Sequence, residues 1–273
     1  MTSSAESSPG GPGRGRGSES GTGHGPGWES LGPPPLGLFA LEQARAVREL
    51  GRFRERRALL RRVPRGDGHG VLVFPGFLAG DYSTAPLRHF LRALCYDARG
   101  WKLGSNLGPD PRIMDRLAER LRALCERHGR KVSLVGWSLG GIYARELARA
   151  HAARVRRVIT LGAPFRDITA THAARFITVG PERLPARESQ PIRTFLRQPV
   201  PVASTSIYSR RDGIVHWKSC LDEEAPESEN VEVHCSHTGM GFDPEVLEII
   251  ADRLAQPEGE WAPYEAQHHA LAS

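Results

Sequence analysis

The sequence contains little lysine, little cysteine and no long apolar run. Only three of its 37 basic residues are lysine, a bias that genome composition explains more simply than function. No run of about 18 apolar residues occurs, and the first thirty residues hold no apolar segment of the kind that directs export. The sequence therefore predicts neither a membrane-spanning helix nor a signal peptide, and we expect a cytoplasmic protein.

The four cysteines form neither a Cys-x-x-Cys pair nor a dense disulfide framework, and we predict no metal site. Cys95 and Cys125 fall in apolar helical patterns and are expected to be core residues. Cys220 and Cys235 flank one loop and could meet. A disulfide between them requires an oxidising compartment, so free thiols are the favoured state.

Positive charge is concentrated in the first quarter of the 273-residue chain. Residues 1–66 contain eleven Arg and six Glu, which account for +5 of the formal net charge of +6. The remaining residues are close to neutral, so they form no basic platform, and we expect no nucleic-acid partner. With 39% apolar residues, the chain can form one sizeable core.

The composition divides the chain into a tail, an arm and a body. Residues 1–36 hold ten of the 30 glycines together with repeated Pro and Ser, which predicts a disordered tail. Residues 37–66 form the arm. Apolar residues recur there at every third or fourth position across residues 38–62 and predict one or two Arg-rich amphipathic helices. Residues 67–273 form the body.

Two interpretations of the arm are open. In the first, its apolar side packs on the body, its Arg side faces solvent, and Glu42, Glu49 and Glu55 pair with arginines along the helix. In the second, the arm makes weak contact with an anionic membrane surface. The first is favoured because the three glutamates lie close to arginines in the sequence. The apolar positions that define the packing side are Leu41, Ala44, Val47, Leu50 and Phe53.

The body alternates between strand-like and helix-like segments, which predicts an α/β fold with a mostly parallel sheet and helices on both faces. Residues 165–200 interrupt the alternation and predict a small cap over the carboxyl ends of the strands. The predicted strands cover residues 70–74, 98–103, 131–136, 155–161, 202–208 and 231–234. The predicted helices cover residues 86–96, 111–128, 142–151 and 244–254.

A serine between two glycines follows the third predicted strand. The segment Gly136-Trp137-Ser138-Leu139-Gly140 stands between an apolar strand and a helix, which is the setting of a nucleophile elbow. Such a turn forces the serine backbone into a disfavoured region and brings strand and helix together, so that a Cβ on either flank would clash. A phosphate-binding turn is the alternative, but the segment lacks the lysine and the glycine spacing of such a loop.

A carboxylate and an imidazole follow two later strands. Asp212 comes just after residues 202–208, and His237 just after residues 231–234. The order Ser138, Asp212, His237 is that of nucleophile, acid and base in this architecture. A serine hydroxyl needs an imidazole to accept its proton, and the imidazole needs a carboxylate to fix its tautomer. Asp212 can also cap an Asp-Gly turn. The competing residues are Asp243, His234, His216 and His172.

An oxyanion that forms during attack on a carbonyl group needs two preorganised donors. The amide of Leu139, directly after the serine, is the first candidate. The second is expected in the loop after the first strand, where Gly76 lets the backbone approach and Phe77 offers its amide. Leu78 is the alternative donor, and the Pro-Gly pair of this loop could equally be an ordinary strand stop.

These segments resemble the serine esterases and lipases of the α/β-hydrolase fold. Residues 74–77 are similar to the family's oxyanion loop, and residues 136–140 to its nucleophile elbow. Residues 209–215 and 235–237 resemble a bacterial lipase-like branch, whereas Pro75 replaces the histidine that many lipases have before this glycine. The resemblance covers about residues 68–255. It implies hydrolysis of small-molecule or lipid carboxylic esters through an acyl-enzyme, without a cofactor.

An apolar pocket beside the serine would favour acyl chains, with Trp137, Leu78, Phe165 and Phe195 as candidate lining residues. The apolar side chains of residues 165–200 could equally form the core of the cap itself. Acyl transfer and thioester cleavage would use the same three residues. A non-catalytic binding protein on a hydrolase scaffold is a further alternative, which would not require an intact Ser, Asp and His.

Overall fold

The computed structural model of the chain describes residues 31–173 and 196–265. Residues 1–30 of the predicted tail, residues 174–195 of the predicted cap and Phe195 therefore lie outside the described residues. The last residues of the predicted tail rest on the body: Leu31 N donates to Asp167 Oδ2 (3.2 Å), and His172 Nε2 lies 3.1 Å from Pro34 O.

Six parallel strands form one sheet in the order β2-β1-β3-β4-β5-β6. The strands are Gly70–Phe74 (β1), Asp97–Gly100 (β2), Val132–Trp137 (β3), Val155–Leu161 (β4), Ala203–Ser209 (β5) and Ser228–Val233 (β6). The described helices are Leu36–Arg52 (α1), Arg56–Arg62 (α2), Ala85–Ala93 (α3), Pro111–His128 (α4), Leu139–Ala150 (α5) and Pro244–Ala255 (α6). The predicted parallel α/β sheet is confirmed.

Two apolar clusters, one on each face of the sheet, hold the layers together. On one face, Val73 and Val135 pack among side chains of α2, α3 and α6. On the other face, Leu72 and Leu134 pack among side chains of α4 and α5. Successive side chains of a strand point to opposite faces, and both faces here are apolar. This is why the central strands appear in the sequence as unbroken apolar runs.

The observed element boundaries differ from the predicted ones by a few residues. Helix α3 ends at Ala93 rather than at residue 96, because Cys95 has a φ of 76° that a right-handed helix cannot contain. Helix α5 begins at Leu139 rather than at residue 142, because the turn at Ser138 leads directly into it. Helix α4 has the predicted bounds, with Asp110 as its N-cap and Gly129 (φ 62°) as its C-cap.

Helix α1 packs on the body with a different side from the one predicted. Glu42, Ala46 and Glu49 are its buried residues. The apolar residues predicted to pack are mostly exposed, including Leu41, Val47 and Leu50. The body presents backbone N–H groups to this helix, and buried N–H groups require acceptors. Carboxylates therefore occupy the inner side. Of the predicted pairs along the helix, Glu42 does pair with Arg45 (3.2 Å).

All four cysteines are free thiols. Cys220 and Cys235 are buried, and burial raises the pKa of both thiols. Cys95, which the sequence placed in the core, is exposed because it stands in the turn after α3. Within residues 31–173 and 196–265, no helix combines the length and apolar character needed to cross a membrane.

Candidate active site

Ser138 stands in the turn between β3 and α5. Its backbone has φ 54° and ψ −123°, a combination that non-glycine residues rarely adopt. Ser138 N donates to Leu161 O (2.8 Å) at the end of the neighbouring strand, and Gly141 N donates to Ser138 O (2.9 Å). These bonds hold the strained turn at the carboxyl edge of the sheet, where the sequence predicted it.

The two glycines that flank this turn are required by space. A Cβ on Gly136 would overlap Gly140 O, and a Cβ on Gly140 would lie 2.5 Å from Phe74 O. Both contacts are with backbone atoms, which cannot move without displacing a strand or a helix. The structure thus supplies a steric reason for the spacing Gly-x-Ser-x-Gly.

His237 and Asp212 form a buried pair at the same edge of the sheet. His237 Nδ1 lies 2.6 Å from Asp212 Oδ2. The other carboxylate oxygen, Asp212 Oδ1, accepts from Ile214 N (2.8 Å) and Val215 N (2.7 Å). The carboxylate is therefore fixed by backbone amides while it holds the imidazole. Such a contact keeps the proton on Nδ1 and leaves Nε2 free to accept another.

Three influences act on the pKa of His237. Burial lowers it, because a charged imidazolium loses its hydration. The charge and hydrogen bond of Asp212 raise it, the charge of Glu42 raises it further, and the resulting pKa lies above the ordinary histidine value. An imidazole of raised pKa is suited to accept a hydroxyl proton during attack on a carbonyl group and to return it to a leaving group.

The loop after β1 lies against the serine. A Cβ on Gly76 would stand 3.3 Å from Ser138 Cβ and 3.9 Å from Ser138 Oγ, so the loop backbone closely approaches the hydroxyl. Leu139 N belongs to the first turn of α5, where amides have no helical acceptor. Within the described residues, Phe77 N donates to no backbone carbonyl, so this amide is available to a ligand. Leu78 N donates to Asn106 O (2.7 Å), so the alternative donor is already engaged.

Asn106 holds this loop in place, a role that no sequence pattern predicts. Its Nδ2 donates to Pro75 O (2.9 Å), and its Oδ1 accepts from Gly108 N (3.3 Å). Its backbone N donates to Ala79 O (2.8 Å), next to the bond from Leu78 N to its carbonyl. Asn106 lies in a segment rich in Gly, Ser and Pro, which predicts only a loop. No sequence signal separates it from an ordinary loop residue.

A cavity of about 570 Å³ opens beside these groups. Its wall contains both Ser138 and His237, and Asp212 lies behind the imidazole on the Nδ1 side. Trp137 Nε1 donates to His237 O (3.1 Å), which fixes the backbone of the histidine as well. Six of the predicted site residues therefore line one cavity: Ser138, His237, Leu139, Phe77, Trp137 and Leu78.

Phe165 does not line this cavity, contrary to the prediction. Its ring is buried in the cluster beneath α4 and α5, with the Arg145 guanidinium 3.9 Å from the ring centroid. Contact with a buried cation draws the ring away from the cavity wall. Pro164, one residue earlier, lines the wall instead. Phe195 lies outside the described residues, as does most of the predicted cap.

The competing acid and histidines make other contacts. His234 is exposed, with its Nδ1 3.4 Å from Glu245 Oε1. His216 accepts from a backbone amide of the turn Trp217–Cys220, and His172 contacts the ring of Phe39. Asp243 is the N-cap of α6. None of these contacts brings a second carboxylate–imidazole pair to the wall that holds Ser138.

Glu42 and Glu49 of α1 lie next to the acid–base pair, although the sequence pattern predicts neither as a site residue. Glu42 accepts from the amides of Gly213 and Thr238, and Glu49 accepts from Ser236. Each of these partners is within one residue of Asp212 or His237. The apolar periodicity of the helix gave the opposite orientation, so no signal in the sequence pointed to this contact.

A parallel sheet, a strained serine turn after β3 and a carboxylate–imidazole pair after β5 and β6 together define the α/β-hydrolase fold. The sequence model described as the alpha/beta hydrolase family matches residues 66–266. The chain belongs to this family. No curated protein matches its sequence.

Several solved structures share the fold. The chain is similar to Aspergillus fumigatus lipase B, with a TM-score of 0.53 and 16% identity over 70% of this chain and 53% of that one. It is similar to Bacillus licheniformis lipase BlEst2, with a TM-score of 0.52 and 20% identity over 71% of this chain and 95% of that one. It is also similar to the mouse alpha/beta hydrolase domain-containing protein 10, with a TM-score of 0.50 and 17% identity over 70% of this chain and 90% of that one. The chain thus spans about half the length of the fungal lipase, and these identities show the fold alone.

Proposed function

We propose that the chain is a serine hydrolase that cleaves carboxylic esters through an acyl-enzyme. One observation carries this proposal: the buried pair of Asp212 and His237 (2.6 Å) reaches the wall of the cavity that also contains Ser138 in its strained turn. A structural turn gains nothing from a positive φ at a serine, whereas presentation of a hydroxyl to an imidazole requires such a backbone.

The chemistry follows from the roles of these groups. Ser138 Oγ attacks the ester carbonyl carbon while His237 Nε2 takes the hydroxyl proton. The bond to the alcohol then breaks, and the imidazolium gives its proton to the alcohol oxygen. Water attacks the acyl-enzyme with the same imidazole as base, which releases the acid and restores the serine. Asp212 keeps the imidazole in the required tautomer throughout.

Two backbone amides are suited to stabilise the tetrahedral intermediates. We assign this role to Leu139 N, at the start of α5, and to Phe77 N, in the loop that Asn106 braces. Each such donor contributes about 3 kcal/mol of transition-state stabilisation in serine hydrolases. The helix N-terminus at Leu139 adds a favourable partial positive charge.

The cavity favours an acyl group with apolar character. Most of its lining is aliphatic or aromatic, with Phe77, Leu78 and Trp137 near the serine and Val215 on the loop that carries Asp212. Apolar walls with few polar groups bind a substrate chain by burial and leave orientation to the oxyanion donors. We therefore propose esters of aliphatic acids, including lipid esters, as the substrate class.

Covalent labelling tests the nucleophile directly. We expect a fluorophosphonate to label the full-length protein and Ser138→Ala to abolish the label. Ser83→Ala is the matched control because Ser83 lines the same cavity and its Oγ only donates to Gly80 O (2.8 Å). Folded wild-type protein that takes no label, or label that survives in Ser138→Ala, would contradict the proposal.

A panel of p-nitrophenyl esters of increasing acyl length tests the substrate class. We expect kcat/KM to rise from acetate toward longer acyl groups as more of the chain is buried in the cavity. Ser138→Ala provides the background rate. Analysis of products with added alcohol and thiol acceptors, and with a thioester substrate, separates hydrolysis from acyl transfer and thioester cleavage. Activity confined to acetate would contradict the assignment of the apolar wall.

A further inference from the structure

Helix α1 holds both loops that carry the acid and the base. Its carboxylates Glu42 and Glu49 are 1% and 3% exposed, although the helix lies on the surface. Burying a carboxylate costs several kcal/mol unless hydrogen bonds and charges compensate for lost hydration. Two such carboxylates lie on one helix face, and both make specific contacts: Glu42 with both loops, and Glu49 with the loop that carries His237.

Glu42 links the acid loop to the base loop. Its Oε2 accepts from Gly213 N (3.0 Å), the residue after Asp212, and its Oε1 accepts from Thr238 N (2.7 Å), the residue after His237. Arg45 lies 3.2 Å from Glu42 Oε2 and donates to Arg211 O (2.6 Å), the residue before Asp212. One carboxylate and its partner arginine thus contact both flanks of the acid and one flank of the base.

Glu49 holds the other flank of the base. Its Oε1 accepts from Ser236 N (2.9 Å), and its Oε2 accepts from Ser236 Oγ (2.5 Å). Ser236 Oγ in turn accepts from Gly239 N (3.0 Å). A Cβ on Gly239 would overlap this carboxylate, so the loop is shaped to admit it.

We propose that α1 is a positioning element for the acid–base pair, with Glu42 and Glu49 as positioning residues that fix the backbone on both sides of His237. This inference rests on the proposed serine-hydrolase function. Displacement of a catalytic group by about 1 Å can reduce a rate by 100-fold, so rigid flanks around the imidazole have a large effect. The helix lies outside the sheet and its flanking layers, yet it sets the geometry of the site.

The two glutamates act differently on the imidazole. Among the described residues, Asp212 from the loop after β5 and Glu42 of α1 are the charged groups that act on His237, and Arg45 lies beside Glu42. The negative charge of Glu42 favours the protonated imidazole, whereas Glu49 contacts only the backbone and hydroxyl of the preceding residue.

Three substitutions distinguish the positioning effect of the two glutamates from the effect of the Glu42 charge on the pKa of His237. Glu42→Gln removes the charge in an isosteric side chain, Glu42→Asp keeps the charge but withdraws it by one methylene, and Glu49→Gln loosens only the Ser236 side. We expect each to lower kcat by about 10- to 100-fold with little change in KM. Only Glu42→Gln should also shift the acidic limb of the pH profile to lower pH. Glu119→Gln, an exposed glutamate of α4, is the matched control.

A measurement that needs no turnover accompanies the kinetics. Titration of the His237 imidazole by 15N NMR reports its pKa whether or not an ester is cleaved, and thermal melts report folding. A lower His237 pKa in Glu42→Gln but not in Glu42→Asp supports the inference. Wild-type kcat and an unchanged His237 pKa in both Gln variants would overturn it. Absence of fluorophosphonate labelling in the wild type would instead overturn the proposed function.

The outward side of α1 is apolar, whereas its inward side carries the two buried glutamates. Leu36 is 75% exposed and Val47 is 71% exposed, with Ala40 and Ala44 between them on the same side of the helix. Gln43, on this side as well, lines the cavity, so the apolar side borders its mouth. Most exposed large apolar residues of the described chain lie on α1 or line this cavity: Leu36, Phe39, Leu41, Val47 and Leu50 on the helix, and Leu78 and Tyr82 on the cavity wall.

The positive charge of the arm indicates which kind of partner covers the outward side of α1. Two of the three glutamates of the arm are buried, whereas Arg48 of α1 is exposed, as are four arginines in the segment that follows this helix: Arg54, Arg61, Arg62 and Arg65. A helix with an exposed apolar side and adjacent arginines binds the surface of an anionic bilayer. We infer that the outward side of α1 docks on an anionic lipid surface and brings the cavity mouth to it. This inference does not depend on catalysis.

Vesicle sedimentation of the full chain tests the docking. We expect binding to phosphatidylcholine vesicles that contain phosphatidylglycerol, weak binding to phosphatidylcholine alone, and loss at high salt. The double variant Val47→Ser, Leu50→Ser should bind at least about tenfold more weakly. Arg48→Gln should also weaken binding, whereas Arg116→Gln on α4 should not. Equal binding by the double variant, binding that ignores the anionic lipid, or a wild-type dimer that the double variant loses would each overturn the inference.

Discussion

His69 Nε2 lies 2.8 Å from Ser133 Oγ, at the amino-terminal edge of the sheet and opposite the cavity. Asp67 Oδ1 lies 2.5 Å from the other ring nitrogen, so the chain contains a second carboxylate–imidazole–hydroxyl series. Burial distinguishes the two. His69 and Ser133 are both 0% exposed, so no substrate reaches this hydroxyl. Residue types and contacts alone therefore do not mark a candidate nucleophile; the strained turn and the cavity distinguish Ser138 from Ser133.

The buried imidazole of His69 predicts loss of stability in mild acid. Burial is the largest influence on its pKa; Asp67 raises the pKa, Arg156 lowers it, and the result is about 4. Between pH 6.5 and about 4 the unfolded chain binds a proton that the folded chain does not. The free energy of unfolding should therefore fall by up to about 3 kcal/mol as the pH drops through this window. Urea unfolding at pH 7 and pH 4.5 measures the change.

His69→Gln provides the comparison for this pH effect. Gln offers a polar group toward Ser133 but does not titrate, so the variant should lose less stability between pH 7 and pH 4.5 than the wild type. Asp67 has a pKa below its usual range, so its contribution is lost only at lower pH. An identical slope in variant and wild type would show that His69 does not carry the effect.

The sequence predicts those parts of the site that depend on local chain geometry. The elbow at Ser138 is specified by its own two glycines, and Asp212 and His237 each follow a strand that the apolar pattern reveals. Chain order then pairs them. The sequence does not predict Asn106, because its role depends on which carbonyl of another loop happens to lie within reach.

Asp212→Asn should nearly abolish ester hydrolysis while the fold persists. The amide keeps an acceptor for Ile214 N and Val215 N, but its NH₂ group turned toward His237 Nδ1 stabilises the wrong tautomer. We expect kcat to fall by about 10⁴-fold, the order of loss when the acid of a Ser-His-Asp triad is changed in this way. Steady-state kinetics with a p-nitrophenyl ester measure it.

Asp243→Asn is the control for that experiment, because Asp243 is the competing acid that the sequence offers after His237. It caps α6 by accepting from Glu245 N (3.0 Å), and asparagine caps helices equally well. Its kcat should stay close to that of the wild type. A loss of activity in Asp243→Asn but not in Asp212→Asn would reverse the assignment of the acid.

Sequence periodicity gave the orientation of α1 incorrectly for a physical reason. A helix pattern shows which residues share a side, but whether that side packs depends on what the body presents. Here the body presents the amides of Ser236, Thr238 and Gly213. Acceptors on the helix satisfy them, and the apolar side is left outward.

Gly162 supports the acid–base pair, and its substitution should impair catalysis without any change in the three proposed catalytic residues. A Cβ there would lie 2.9 Å from His237 Nδ1 and 3.1 Å from Asp212 Oδ2. Gly162→Ala should lower kcat by about 100-fold, because it displaces the imidazole. Gly129→Ala is the matched control: its φ of 62° is close to the 55° of Gly162, but open space surrounds it. Both variants should lose similar stability from backbone strain, and only Gly162→Ala should lose activity. Equal activity would contradict the steric argument.

Arg145 and Asp222 form a buried ion pair. Removal of one member should reduce the free energy of unfolding far more than removal of both. Arg145 Nη1 lies 2.5 Å from Asp222 Oδ2, Arg145 Nη2 lies 2.9 Å from Oδ1, and both side chains are nearly inaccessible. Arg145→Met leaves the carboxylate buried without its charge partner and should reduce the free energy of unfolding by about 3–5 kcal/mol. Arg145→Met with Asp222→Leu removes both charges and should recover much of that loss. Urea unfolding of both variants, with the exposed Arg122→Met as control, measures the difference. A double variant no more stable than Arg145→Met would show that the arginine acts through its contact with Phe165 (3.9 Å) rather than through the carboxylate.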